Sequence, residues 1–412
     1  MRRLTLRTYR VLVVAAASIT YFLFYFGRYD YSAAGPFIKS ELLWTPVMWG
    51  VFTSLLTAGY AVGQLVNGIL VDRFGPRKVW GLGGILSGLA NLVVGSGRSY
   101  TIMTAAWGVN GYAQATGAPS YSRLYSNWFP EGRRGLPAAI TNSSRLVAAS
   151  ACLPLLSLVA VAYGWRMCFI IPGLILIPVG VLTLLLLKES PSDVGFEAPW
   201  VKHSVSRGFR ELITESYKLI WSDKVFLSHA LSYGAAQFIC FSIYAWIPIY
   251  LVEVVGHDPV TAASLTAFFP VAGAICAVPL GYLADKLGFG IRRYILGTGL
   301  VGAALSLLIL TYVPSLPTLA TVLLILACGA GIEGIDTVFF IVIMDKYGKT
   351  GRVGTAYGSL NAVGKAFGTI EGLVLGAIIG LLGWREALTT CAAVGLAGAL
   401  CQIPVTAQWI RK

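Results

Sequence analysis

Apolar runs of about 20 residues, each long enough for a helix to cross a bilayer, follow one another through almost the whole chain. They lie near 11–38, 46–71, 79–97, 100–128, 135–162, 165–187, 224–252, 261–284, 294–314, 317–344, 353–381 and 385–406, which predicts roughly twelve transmembrane helices. Short polar turns separate most of them. One polar stretch is longer: it runs from Lys188 to Asp223, with Pro191 and Ser192 near its start. It predicts a cytoplasmic linker at 188–223 between an N-terminal six-helix half at 1–187 and a C-terminal half at 224–412.

The turns carry a repeat. Gly68-Ile-Leu-Val-Asp72-Arg73-Phe-Gly75-Pro76-Arg77-Lys78 returns in degenerate form as Gly281-Tyr-Leu-Ala-Asp285-Lys286-Leu-Gly288-Phe-Gly-Ile-Arg292-Arg293. The first glycine of each copy is expected to let two helices pack closely, and the Asp to meet a helix N-terminus or a basic partner. Gly75 and Gly288 suit a tight turn, and the terminal bases stay with water and anionic headgroups. Two copies of one membrane unit are implied. The pattern resembles the loop signature of the major facilitator superfamily, which implies an all-α membrane fold of two pseudo-symmetric six-helix halves.

Composition excludes a water-soluble globule: 56% of residues are hydrophobic, 12% are charged and the mean hydropathy is +0.73. The formal charge of +13 is a matter of topology. Arg2, Arg3, Arg7 and Arg10 precede the first span, and Arg73, Arg77, Lys78, Arg133, Arg134, Lys286, Arg292, Arg293, Lys346, Lys349 and Arg352 fall in alternate turns. Lys39, Arg98, Arg166 and Arg385 lie on the other side. Both termini are therefore expected in the cytoplasm, with the protein in the plasma membrane, the inner membrane in a bacterium. The first span is too long for a cleavable signal and is expected to act as a signal anchor. A nucleic-acid partner would need a basic face on a soluble domain, and the sequence has none.

Cysteine and histidine carry little chemistry here. Cys152, Cys168, Cys240, Cys276, Cys328, Cys391 and Cys401 stand singly in or at the ends of apolar spans, and His203, His229 and His257 show no metal-ligand or nucleophile–base spacing. No metal, cofactor or enzymatic activity is expected. What remains is a set of ionisable residues within the spans: Arg28, Asp30, Arg123, Arg145, Glu333, Asp336, Lys365 and Glu371. Such residues are costly in lipid and point to a cavity or a partner. For Arg123 and Glu371 a structural ion pair is the competing expectation.

Arg28 has informative neighbours. At helical spacing Tyr21, Tyr25, Arg28 and Ser32 share one face, with Asp30 turned away from it. Asn110, Gln114, Gly117 and Tyr121 make a similar stripe on the fourth span, Asn142 and Arg145 on the fifth, and Tyr233, Gln237, Cys240 and Tyr244 on the seventh. Helix–helix hydrogen bonds would produce such stripes too. Together they favour a substrate cavity.

Tyr25-Phe26-Gly27-Arg28-Tyr29-Asp30-Tyr31-Ser32-Ala33-Ala34-Gly35-Pro36 resembles the first helix of the organophosphate:phosphate antiporters, in which an arginine eight residues before a proline binds phosphate. Gly111-Tyr-Ala-Gln114, Pro119, Trp128-Phe-Pro-Glu-Gly-Arg-Arg134-Gly135 and Ser190-Pro-Ser-Asp-Val-Gly195 fit the same family. The anion:cation symporters share the Trp-Phe-Pro and Gly164-Trp165-Arg166 landmarks. The resemblance also implies a second phosphate-binding arginine ahead of Trp246-Ile-Pro248, but Cys240 stands at that position. Arg145 is the candidate second cation.

These features predict a secondary transporter for a small organic anion, with protons as a candidate coupling ion and a monomer as the expected state. Arg28 and Arg145 are expected to hold the anionic head, and Tyr21, Tyr25, Ser32, Gln114, Tyr121, Tyr233, Gln237 and Tyr244 to contact the rest. Asp30, Glu333, Asp336 and Lys365 form the expected coupling or gating group. Exchange against phosphate, a zwitterionic substrate and a membrane ligand sensor remain alternatives.

Overall fold

The computed structural model describes residues 5–130, 135–197, 218, 220–286, 289–313, 315–347 and 353–409. Backbone polar groups in lipid must be satisfied within the chain, and helices achieve this. The first half contains α1 (Leu6–Leu42), α2 (Pro46–Phe74), α3 (Pro76–Ser96), α4 (Tyr100–Gln114), α5 (Gly117–Trp128), α6 (Gly135–Tyr163) and α7 (Met167–Leu186). The second contains α8 (Lys224–Glu253), α9 (Pro259–Lys286), α10 (Phe289–Tyr312), α11 (Thr318–Ile332), α12 (Asp336–Tyr347), α13 (Val353–Leu381), α14 (Trp384–Leu400) and α15 (Gln402–Trp409). Among the described residues ten helical spans are long and apolar enough to cross a membrane; α2 and the α4–α5 pair complete the expected twelve. Leu155, Leu185, Ile275, Val278 and Leu323 stand exposed, as lipid-facing residues do.

The fourth span of each half is broken. In the first half the helix stops at Gln114 and restarts at Gly117; in the second it stops at Ile332 and restarts at Asp336. Discontinuous helices at corresponding positions of two repeats are where transporters place binding groups, because the freed backbone and helix ends face a cavity.

The chain divides into two compact units, Met1–Ala34 with Leu55–Val205, and Gly35–Ser54 with Ser206–Lys412. The end of α1 and the start of α2 thus group with the second unit, across the boundary expected between 187 and 224. In the first unit α3 packs on α7 and α4, and a Cβ added at Gly59 would strike the Gly108 carbonyl of α4. In the second unit α8 packs on α13 and α14, and Gly50 of α2 abuts Gly372 of α13. Small residues let helices approach where lipid supplies no hydrophobic drive. Gly68 and Gly281 do not do this: a Cβ built at either meets nothing within 4 Å among the described residues. Among the described residues the close packing expected of them is made by other glycines.

Gly75 does form the turn, with φ 86°, and Pro76 follows at the first helical position of α3. The Arg77 N–H donates to Glu189 Oε1 at 3.0 Å, so a carboxylate from beyond α7 caps α3. Arg73 is exposed at the end of α2. In the second copy Arg292 is buried and its Nε donates to the Ala284 carbonyl at 3.0 Å, closing the end of α9. Gly288 and the side chains of Asp72 and Asp285 lie outside the described residues. The Trp128 landmark meets the two residues just before the 190–195 landmark: Trp128 Nε1 donates to the Lys188 carbonyl at 2.9 Å and Asn127 Nδ2 to that of Glu189 at 3.1 Å. Asp223 caps α8 by accepting from the Val225 and Phe226 amides and pairs with Lys346 of α12. Burial pushes its carboxyl up, but the Lys346 ammonium and Tyr347 hydroxyl more than offset that and hold it below the usual carboxylate range.

Candidate functional site

In the first unit, α1 kinks one residue before the predicted anion receptor. Gly27 leaves helical geometry (φ −84°, ψ 16°), and its carbonyl accepts from Asn110 Nδ2 at 2.8 Å, Asn91 Nδ2 at 3.3 Å and Gln114 Nε2 at 3.4 Å. Ser87 closes the network, donating to Asn110 Oδ1 at 2.6 Å and accepting from Gln114 Nε2 at 2.8 Å. A side chain at Gly27 has no room, since its Cβ would lie 2.5 Å from Leu176 Cδ1 and 3.2 Å from Asn91 Nδ2. We expect Gly27→Ala to destabilise the protein by about 1–3 kcal/mol through this overpacking. Thermal unfolding in detergent checks it, and an unchanged midpoint would show that the kink is not held by this contact.

Arg28 follows the kink. It is 8% exposed; Nη1 donates to Tyr25 Oη at 2.8 Å and Nη2 to the Gln114 carbonyl at 3.3 Å, and Nε has no partner. The guanidinium carbon lies 4.4 Å from the Tyr25 ring centre and 4.5 Å from that of Tyr60. Each of these contacts is with a neutral group, so the cation is oriented and desolvated without being neutralised. Tyr21 packs edge-on to Tyr25 and Tyr121, both at 5.2 Å. Arg145 is half-buried on α6, close enough to act electrostatically on Tyr25.

The structure thus brings Tyr21 and Tyr25 to Arg28, with Tyr121 against Tyr21 and Arg145 near Tyr25. Ser32 is buried one turn further along α1. The Gln114 side chain is fully buried in the Gly27 network, and it is its backbone that meets Arg28. Tyr60, on α2, was not singled out by the sequence; nothing in the pattern of that span announces which helix it faces. Asp30 is buried away from Arg28, among Cys152 and Cys168, with Oδ1 accepting from the Tyr31 amide at 2.8 Å and Oδ2 without a partner.

In the second unit the polar residues collect at the break between α11 and α12. Glu333 is the C-cap of α11 and Asp336 opens α12. Glu333 is 4% exposed, and its Oε1 accepts from Tyr244 Oη at 3.1 Å and from Cys240 Sγ at 3.6 Å. Cys240, at the position where the resemblance implies an arginine, thus spends its thiol on Glu333. Gln237 donates to Asp336 Oδ1 at 3.3 Å and accepts from Lys365 Nζ at 3.5 Å, joining an acid of α12 to a base of α13 through one amide. Lys365 also lies 4.7 Å from the Phe241 ring centre. Tyr233 lies with Gln237 against Gly364 and packs on Phe339 and Phe340, with ring centres at 5.1 and 5.4 Å.

The sequence matches the Major Facilitator Superfamily over residues 17–369 and again over 266–410. The chain belongs to that superfamily. It is similar to the "Probable hexose phosphate transport protein" of Chlamydia muridarum, 26% identical over 302 residues, which cover 69% of this chain and 66% of that protein. It is also similar to the "Probable sulfoacetate transporter SauU" of Cupriavidus necator, 25% identical over 387 residues, covering 90% of this chain and 87% of the relative. Among solved structures a D-xylose-proton symporter superposes with a TM-score of 0.75 at 15% identity, covering 96% of this chain and 97% of that one. The hexose phosphate relative bears out the resemblance to the organophosphate:phosphate antiporters. This superfamily member is an integral membrane transporter and not an enzyme.

Proposed function

We propose that the chain moves a small organic anion, a phosphorylated or carboxylated metabolite, across the membrane by alternating access of its two halves, with Arg28 as the anion receptor. One observation carries the reading: a buried guanidinium whose contacts are all neutral and which keeps an N–H to offer. A buried cation of this kind is stabilised most by an anion that fits its planar donor edge. Arg145 assists from α6, and the surrounding tyrosines and Ser32 shape the cavity wall. The absence of an arginine at Cys240 favours a carboxylate, sulfonate or phosphate monoester bound through one guanidinium over strict exchange against inorganic phosphate.

Proton coupling is part of the proposal, with Glu333, Asp336 and Lys365 as the coupling or gating group at the break in span ten. We place the protein in the plasma membrane as a monomer, with both termini in the cytoplasm. Thermal unfolding of purified protein with glucose 6-phosphate, glucuronate, sulfoacetate, inorganic phosphate and glucose tests the substrate class. At least one organic anion should raise the midpoint and glucose should not; stabilisation by glucose alone would contradict an anion receptor.

A further inference from the structure

Glu371 of α13 is used by neither polar cluster. It is 1% exposed, and its Oε1 has no hydrogen-bond partner. From α8, Ser242 and Trp246 lie beside it. The Ser242 hydroxyl donates to the Phe238 carbonyl at 2.7 Å and accepts from Cys391 Sγ at 3.4 Å, while the Trp246 N–H has no partner.

From α14 the titratable neighbour of Glu371 is Cys391. On α13 itself Lys365 is engaged by Gln237 and the Phe241 ring, and on α12 Asp336 is engaged by Gln237. The stretch 46–54 of α2 contains no titratable residue. Lys39, at the end of α1, pairs with Glu253 at 2.6 Å. Among the described residues no cation pairs with Glu371, so the structural ion pair that competed for it is not made there. A carboxylate left buried without a counter-charge is strongly disfavoured, whereas the neutral acid needs no such partner.

The residues on either side of Glu371 form the seam with α2. Ser54 Oγ donates to the Thr369 carbonyl at 2.7 Å, and Gly372 lies against Gly50, Thr53 and Ser54. Parting of this glycine-lined seam would bring water to the carboxyl. We propose that Glu371 carries the coupling proton: the acid O–H gives its proton to water when the seam is open, and the carboxylate regains one from water before the seam closes. This rests on the transporter reading above, and it leaves gating to Glu333, Asp336 and Lys365.

The first arm of the test needs no substrate. Infrared spectra of the purified protein at neutral pH should show a protonated-carboxyl C=O band that Glu371→Gln lacks; coinciding spectra overturn the proposal. The second arm uses proteoliposomes with labelled glucose 6-phosphate and sulfoacetate as probes. Glu371→Gln should keep counterflow and lose pH-driven accumulation, a loss of about tenfold per pH unit of imposed gradient for one proton per substrate. Glu371→Asp, which retains an acid, should restore part of it and shows that the site tolerates substitution. Accumulation undiminished in Glu371→Gln overturns the assignment and leaves transport standing. Loss of counterflow as well would make Glu371 structural and overturns it too. Wild-type protein that exchanges neither probe refutes the transport reading on which the proposal rests.

Discussion

Arg28→Lys should abolish anion-induced thermal stabilisation and reduce transport by roughly thirtyfold or more, corresponding to about 2 kcal/mol for a charge-assisted contact in a desolvated site. The charge is kept, so a loss of this size must come from geometry. The guanidinium is held between the Tyr25 and Tyr60 rings, with Nη1 on Tyr25 and Nη2 on the Gln114 carbonyl, which leaves its donor edge aimed in one direction. An ammonium offers a point charge with no plane to stack and no paired donors. Near-normal uptake by the lysine variant at matched expression would reduce Arg28 to a charged structural residue.

The second large effect is expected at Lys365. Removing its charge by Lys365→Met leaves Asp336 facing Gln237 without the cation that Gln237 now links to it. For a half-buried charge pair the cost lies between the surface and fully buried limits, about 2 kcal/mol, and both exchange and pH-driven accumulation should fall more than tenfold. Neutralising the acid in the same protein, Lys365→Met with Asp336→Asn, should recover exchange in part, because no uncompensated charge remains. A double variant as inactive as the single one, with unfolding unchanged, would show that Lys365 acts on the substrate and not through Asp336.

The spans and the turn at Gly75 were legible because apolar run length and glycine–proline punctuation record them directly. The breaks in spans four and ten were not. Gln114 to Pro119 and Gly331 to Asp336 stay largely apolar or small, so the runs continue unbroken in sequence while the backbone does not. The stripe of Tyr21, Tyr25 and Arg28 followed from helical periodicity alone, since all three ride on α1. Tyr60 did not, because periodicity says which residues share a face and nothing about which helix that face meets. The same limit applies to Gln114: a polar residue on a stripe fits a cavity or a buried network equally well, and here three amides converge on the Gly27 carbonyl. Gly68 and Gly281 were expected at helix seams from their residue type, but residue type does not say which glycines meet a partner helix, and the seams run through Gly59, Gly108, Gly50 and Gly372.

Counterflow in proteoliposomes tests the central claim most directly. Vesicles loaded with unlabelled glucose 6-phosphate, glucuronate or sulfoacetate should take up the matching labelled anion through the wild-type protein, should ignore labelled glucose, and should lose the uptake on Arg28→Ala. Uptake of glucose at the same rate, or uptake of an anion that Arg28→Ala leaves unchanged, would contradict a transporter whose substrate is an anion held by Arg28.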